Sequence, residues 1–336
     1  MAPLNAMTSE ASTSDPREAG ALRKGLRALA FASTVILVLA LAGQVFRDRT
    51  RWLAVLMYLP MGFVALVVIV TQLAALERRV WKRRAAVVLV AVVAGVVSVS
   101  SMRGRGFRAA PAESLNVVQW NVQWGRHNHR WAKTIRQIAQ AGPHVVVLSE
   151  APSDEKIAAL CAAMGSDWTF KVSRNAAESR YWYAIAVASR GPISVEREWP
   201  LPNGTALQVL IGGAEQPLRV LAVDGLSDPL ISRTPMLQAI AEQCWRASEK
   251  SAPIDIVAGD FNAVSQSIGF DALEAHGFTL GSRACRGWRG TFPASLPLYD
   301  IDHIWLSPRH AAASCEMLDS PITNHRGQLV QAMGAN

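Results

Sequence analysis

What this chain lacks narrows it first. No charged residue interrupts positions 28–46, 52–76 or 85–102. About 20 apolar residues carry a helix across a bilayer core, and a helix apolar on every side has no face to offer water. These absences predict three transmembrane helices and argue against a wholly soluble chain. The four cysteines, Cys161, Cys244, Cys285 and Cys315, include no C-x-x-C pair, which argues against zinc. One or two disulfides and four buried thiols are equally compatible with their spacing. Positions 111–336 carry 19 Lys/Arg against 21 Asp/Glu, whereas positions 1–110 carry 15 against 5. The net charge of +8 therefore belongs to the N-terminal third, and the remainder lacks the basic surface that nucleic acid demands. No internal repeat is found.

The N-terminal third explains its own charge. Positions 1–22, rich in Ser, Thr, Ala and Glu, read as a disordered tail, and 23–102 as a membrane domain. Arginines bracket the apolar runs. Trp52 and Tyr58 suit a membrane interface, and Pro60 and Gly62 are tolerated in a membrane helix. The tail and the loop between the second and third runs hold nine Lys/Arg; the other side holds six. Positive-inside bias places the N-terminus in the cytoplasm and the C-terminal domain outside an inner or plasma membrane.

After a Gly/Arg/Pro-bearing linker at 103–113, positions 114–336 alternate strand-like and helix-like segments. Strands are predicted at 115–122, 145–148, 183–189, 208–211, 218–223, 254–258 and 301–306, and helices at 130–141, 155–164 and 235–247. That order predicts an α/β fold of two packed sheets with helices outside, a four-layer sandwich.

Polar residues follow directly on these apolar runs. Asn121 ends the first, Glu150 the second, and Gly259-Asp260-Phe261-Asn262 the run at 254–258. Ile301-Asp302-His303 and Asn324-His325 come later. Polar groups at the ends of buried strands converge on one sheet edge, and such a set suits a divalent cation and phosphate ester cleavage. His303 reads as structural. The loop at 281–297 carries Arg283, Arg286 and Arg289, a solvated run or a contact for a second phosphate.

These motifs, in this order, resemble the endonuclease/exonuclease/phosphatase superfamily in its bacterial membrane-anchored branch. The resemblance covers the C-terminal two-thirds. It implies a glutamate ligand for Mg²⁺ (or Mn²⁺) at Glu150, supported by Asn121. It implies water activation by Asp260, phosphate contact by Asn262, and an Asp302–His325 pair that stabilises the transition state. Two positions depart from the family pattern. Asn324 stands where a metal-side aspartate is usual, and Asp224 stands where a histidine or tyrosine touches the phosphate. The expected function is a membrane-anchored, metal-dependent phosphoesterase acting on a phosphodiester or phosphomonoester. The alternative is a catalytically weakened domain that binds a phosphorylated ligand or partner at the membrane.

Overall fold

The computed structural model describes residues 16–75, 78–106, 113–126, 128–174, 183–213, 217–319 and 323–334. The chain divides into two compact units, one of residues 1–41 and 61–97, the other of 42–60 and 98–336.

In the first unit α1 (Pro16–Phe46) is long and apolar enough to cross a membrane over Gly20–Phe46. Positions 16–22 of the expected tail thus open a helix, and 1–15 lie outside the described residues. The second apolar run is not one span. It is cut into α2 (Arg51–Met57) and α3 (Met61–Ala74), bent by 65° at the break. Pro60 causes this: it has no N–H to donate and disfavours helix in the residue before it. Fourteen residues make a helix of about 21 Å, short of a hydrocarbon core of about 30 Å. α4 (Trp81–Ser101) is the second helix of full length. The count of unbroken candidate spans is therefore two, not three. Polar side chains pair inside this unit. Ser33 Oγ lies 2.8 Å from Thr71 Oγ1, Gln72 donates to Ala30 O and Thr34 Oγ1, and Arg84 donates to Gln72 Oε1.

The second unit takes in α2. Thr50 caps it, accepting from Leu53 N–H. Arg47 grips Asp271 with two hydrogen bonds of 2.7 Å and also donates to the carbonyls of Gln266 and Ser267. Asp48 accepts from Ser267 Oγ and Ile268 N–H. β1 (Arg103–Arg105), from the expected linker, pairs with a later strand.

The sandwich follows. β2 (Leu115–Asn121), α5 (Asn128–Gln140), β3 (Val145–Ser149), α6 (Asp154–Met164), β4 (Trp168–Ser173) and β5 (Ile185–Arg190) come first. β6 (Ile193–Leu201), β7 (Gly204–Ile211), β8 (Leu218–Gly225), α7 (Thr234–Glu249) and β9 (Ile256–Asp260) follow. Then come the short α8 (Asp271–Ala275), β10 (Thr279–Leu280), β11 (Arg286–Trp288), β12 (Asp302–Leu306), β13 (His310–Leu318) and β14 (Gly327–Gly334). One six-stranded sheet runs β13-β14-β2-β3-β5-β4 and the other β10-β12-β9-β8-β7-β6; β1 and β11 form a separate antiparallel pair. Each large sheet is mixed, with one parallel pair at its centre: β2 with β3, crossing over through α5, and β8 with β9, crossing over through α7.

The layers follow from side-chain alternation. Val117, Val147, Val187, Val220, Ile256 and Ile304 pack between the sheets. Val118, Trp120 and Leu148 pack with Ile138 and Ile157 of α5 and α6. Leu221, Val223, Val257 and Trp305 pack with Leu237 and Ile240 of α7. Cys285 and Cys315 form a disulfide, with Cα atoms 4.1 Å apart, while Cys161 and Cys244 are buried free thiols.

Gly259 in β9 tests the packing of the second sheet. Its φ is +152°, and an added Cβ would sit 1.8 Å from the carbonyl oxygen of Val223 in β8. Gly259→Ala is expected to cost at least about 2 kcal/mol of stability, read as a lowered thermal midpoint in detergent. Gly334→Ala, where a Cβ meets nothing within 4 Å, is expected to leave that midpoint in place.

Candidate active site

The alternation that builds the core also builds the site. Val117 faces the other sheet, so Gln119 and Asn121 do too. Val145 and Val147 carry Ser149 inward, Val220 and Ala222 carry Asp224, and Ile256 and Ala258 carry Asp260. β12 runs the other way, so Asp302 at its start, in line with Ile304 and Leu306, reaches the same edge. The inward row turns polar at this one end of the sandwich.

Register then sets three carboxylates side by side. Asp260 pairs with Asp224 on β8 and with Asp302 on β12, on strands spaced about 4.8 Å apart. All three are buried. Glu150, partly exposed just past β3, joins them; its N–H lies 3.5 Å from Asp224 Oδ2. Two residues of the site adopt the left-handed backbone, Glu150 at φ +45° and Asn262 at φ +47°. Such conformations cost energy in a non-glycine residue and gather at functional sites.

Hydrogen bonds hold the row. Asn121 Nδ2 donates to Asp260 Oδ2 at 2.9 Å and to Glu150 Oε1 at 3.2 Å, while its Oδ1 accepts from Gln123 N–H. Asn121 thus turns its NH₂ toward Asp260 and Glu150 and its carbonyl toward Gln123. Asp260 accepts from Asn262 N–H at 2.8 Å, and its own N–H donates to Ser149 Oγ. Gln119 donates to Asp302 Oδ1 at 3.1 Å. His325 Nδ1 lies 2.8 Å from Asp302 Oδ2 and 3.8 Å from Asp260 Oδ2, which leaves its Nε2 as the open nitrogen. The ligand atoms of Asp260, Asp302 and His325 all lie within 4.8 Å of one another.

The charges cannot all persist in so dry a place. Burial, then the charges of Asp260 and Glu150, pushes the Asp224 carboxyl well above the carboxylate range. Burial and the neighbouring Asp302 raise Asp260 to about 7, against the pull of His325 and of bonds from Asn121 and Asn262. Burial alone would lower His325. The charge and hydrogen bond of Asp302, with Asp260 and Glu150 behind it, outweigh burial and hold it up at about 9.

The expected residues Asn121, Glu150, Asp224, Asp260, Asn262, Asp302 and His325 thus come together. Asn324, next to His325, lies at the surface and bonds through its main chain, its N–H to Gln123 Oε1 and its carbonyl from Ala294 N–H. His303 is buried, its Nε2 2.7 Å from Ala263 O. Arg289 is buried in an ion pair with Asp300 and Arg283 pairs with Glu274, so both are engaged within the fold. Sequence reasoning missed Gln119, Ser149, Tyr58 and Arg233. The first two share parity with residues already named, a signal that was there to read. Tyr58 and Arg233 both donate to Asn262 O, at 2.8 and 2.9 Å, and no local pattern marks either.

His325 has a folded-state pKa above its ordinary value of 6.5, so its pairing stabilises the fold. That contribution is complete below pH 6.5 and is lost as pH rises through about 9. Asp302→Asn is expected to lower the His325 pKa by at least about one pH unit, read from its imidazole resonances in an NMR titration. An unmoved midpoint would dissolve the pair.

Known proteins share this fold. Residues 118–325 match the Endonuclease/Exonuclease/phosphatase family. A search of curated proteins finds no match. Among solved structures, the chain resembles a mannosyl-6-phosphatase of Bacteroides thetaiotaomicron at 13% identity and a TM-score of 0.53, covering 66% of this chain and 100% of that one. It resembles the human Nocturnin catalytic domain with bound sulfate at 12% identity and 0.52, over 68% and 97%. It resembles D. rerio TDP2 complexed with single-strand DNA product at 16% and 0.50, over 66% and 99%. At such identities the likeness is one of fold, while the match over 118–325 decides membership: the chain belongs to the Endonuclease/Exonuclease/phosphatase family.

Proposed function

We propose that this protein is a divalent-metal-dependent phosphoesterase of the membrane-anchored bacterial branch of its family. The observation that carries the reading is the buried row Asp224–Asp260–Asp302 with Glu150 at its rim and His325 paired to Asp302. The donor set is hard oxygen with more negative charge than His325 offsets, which fits Mg²⁺, or Mn²⁺ in its place. Glu150 would hold the ion, oriented by Asn121, with exposed Asn324 beside it. Bound there, the ion would supply charge neutralisation at the phosphoryl oxygens.

The chain's own residues do the rest. Asp260, raised to about 7, is poised to orient a water and take its proton as that water attacks phosphorus. His325, held cationic by Asp302, presents Nε2–H to the developing charge. Asn262 donates one amide hydrogen to Gly225 O and keeps the other for a phosphoryl oxygen. Asp224, pushed toward its protonated form by burial and the neighbouring acids, repels a phosphate less than an exposed carboxylate would. The mannosyl-6-phosphatase and the sulfate-bound Nocturnin domain support an anionic phosphate-like ligand. The DNA-bound relative raises a nuclease reading, which the balance of −2 over positions 111–336 disfavours.

Two full-length apolar helices support membrane anchoring. The nine-to-six basic asymmetry and the Cys285–Cys315 disulfide support an outside position for the catalytic domain.

Glu150→Gln is expected to weaken Mg²⁺ binding and to cut hydrolysis of phosphate esters by at least about 100-fold with the fold intact. Calorimetry and steady-state rates on the purified chain would show it, and unchanged Mg²⁺ affinity would remove Glu150 from the site. Turnover of neither a phosphodiester nor a phosphomonoester by the unaltered chain would favour the binding-domain alternative. Alkaline phosphatase fused after Asn336 is expected to be active; activity confined to a cytoplasmic reporter would reverse the orientation.

A further inference from the structure

Beside the phosphate site lies a pocket of about 240 Å³ that no step of the reaction uses. Tyr58, Phe292, Tyr299 and Ile301 form its walls, with Arg233 and Asn262 on the side toward the aspartate row. Ser227 and Pro229 stand at its exposed rim. The pocket is continuous with the proposed chemistry at two places. Asn262 belongs to both, and the Phe292 ring lies 4.9 Å from that of His325. Whatever is esterified to a phosphoryl group held by Asn262 and His325 has this pocket next to it.

Most of the pocket's polar groups are engaged within the fold. Tyr58 Oη donates to Asn262 O at 2.8 Å, and Tyr299 Oη donates to Tyr58 O at 2.9 Å. Arg233 uses Nε, Nη1 and Nη2 on the carbonyls of Asn262, Ile231 and Asp228. Asn262 Nδ2 is bound to Gly225 O. A sugar or a base placed here would find few partners beyond the remaining hydrogens of Asn262 and Arg233 and the Ser227 hydroxyl at the rim, and would leave several of its own polar groups unpaired. Aromatic faces and the Ile301 side chain reward apolar surface instead. Arg233 is 4% exposed and makes no ion pair among the described residues, so two guanidinium hydrogens remain for one oxygen of an ester or anion at the inner end. Tyr58 adds a fact of connectivity: it stands three residues before α3, in the segment between the apolar helices.

We propose that this pocket is the leaving-group subsite, that it takes the apolar alcohol half of an amphiphilic phosphate ester, and that Tyr58 is a specificity-determining wall of it. The proposal rests on the phosphoesterase reading for the neighbouring phosphoryl site. It goes beyond that reading in naming the substrate class and in assigning a residue of the inter-helix segment to substrate selection.

The test separates binding from turnover. Hexyl phosphonate and methyl phosphonate, which cannot be hydrolysed, are titrated into the full chain in nanodiscs with Mg²⁺. Hexyl phosphonate is expected to bind on the order of ten-fold more tightly. Ser227→Trp, which fills the pocket from its exposed rim, is expected to abolish that preference while methyl phosphonate binds as before. Equal affinity for the two ligands overturns the proposal. A preference that survives Ser227→Trp also overturns it, since the gain then comes from partition into lipid. Loss of methyl phosphonate binding in the variant would mark a misfolded site; Tyr58→Ala, which removes one wall, then decides by the same preference. Hydrolysis of hexyl phosphate is measured in parallel. A preference without turnover upholds the subsite and refutes the phosphoesterase reading; turnover without preference does the reverse.

Discussion

Three aspartates on adjacent strands, paired in register and buried, cannot all carry charge without compensation. Asp260 stands between Asp224 and Asp302, and like charges opposite one another on a sheet destabilise it. Much of the surrounding structure answers this conflict. His325 supplies a cation, Asn121, Asn262 and Gln119 supply N–H donors, and burial beside these acids pushes Asp224 toward its protonated form. The left-handed backbones of Glu150 and Asn262 bring the last two side chains round to the row. Such a concentration of unfavourable charge at one end is what a bound cation would relieve, which supports the proposed metal site.

The same end is tied to the segment 42–60, which belongs to the same unit as the sandwich and is held by Arg47 on Asp271, Asp48 on Ser267, and Tyr58 on Asn262. Met57 packs with Val264 and Ile301, so the apolar end of α2 extends the domain's own core. Asn262 O accepts from both Tyr58 and Arg233, so the peptide after Asp260-Phe261 is fixed from two directions. Asn262, proposed to contact phosphate, and the inter-helix segment thus share one set of hydrogen bonds.

Much of this was legible in the sequence, and the exceptions have physical reasons. The runs ending in Asn121, Glu150 and Asp260 read as strands because they are buried on both faces and apolar throughout. β6 was missed because it is an edge strand whose alternation is broken by charged, exposed residues and a bulge between Val195 and Arg197. The uncharged run at 52–76 read as one span because hydropathy does not register what Pro60 does to a helix. Asp224 read as a departure from the family pattern because a sequence carries no dielectric; burial beside Asp260 pushes its carboxyl toward the protonated form. Arg233 and Tyr58 were out of reach because their importance comes from one distant carbonyl, that of Asn262.

The central claim is that the buried carboxylates form a cation site whose protons are displaced when the ion arrives. Calorimetric titration of Mg²⁺ into the full chain at pH 7, repeated in buffers of different ionisation enthalpy, tests it most directly. With Asp260 near half-protonated at that pH, binding should release protons, and the observed enthalpy should change in proportion to the buffer's. No heat of Mg²⁺ binding, or a heat that is the same in every buffer, would contradict the account.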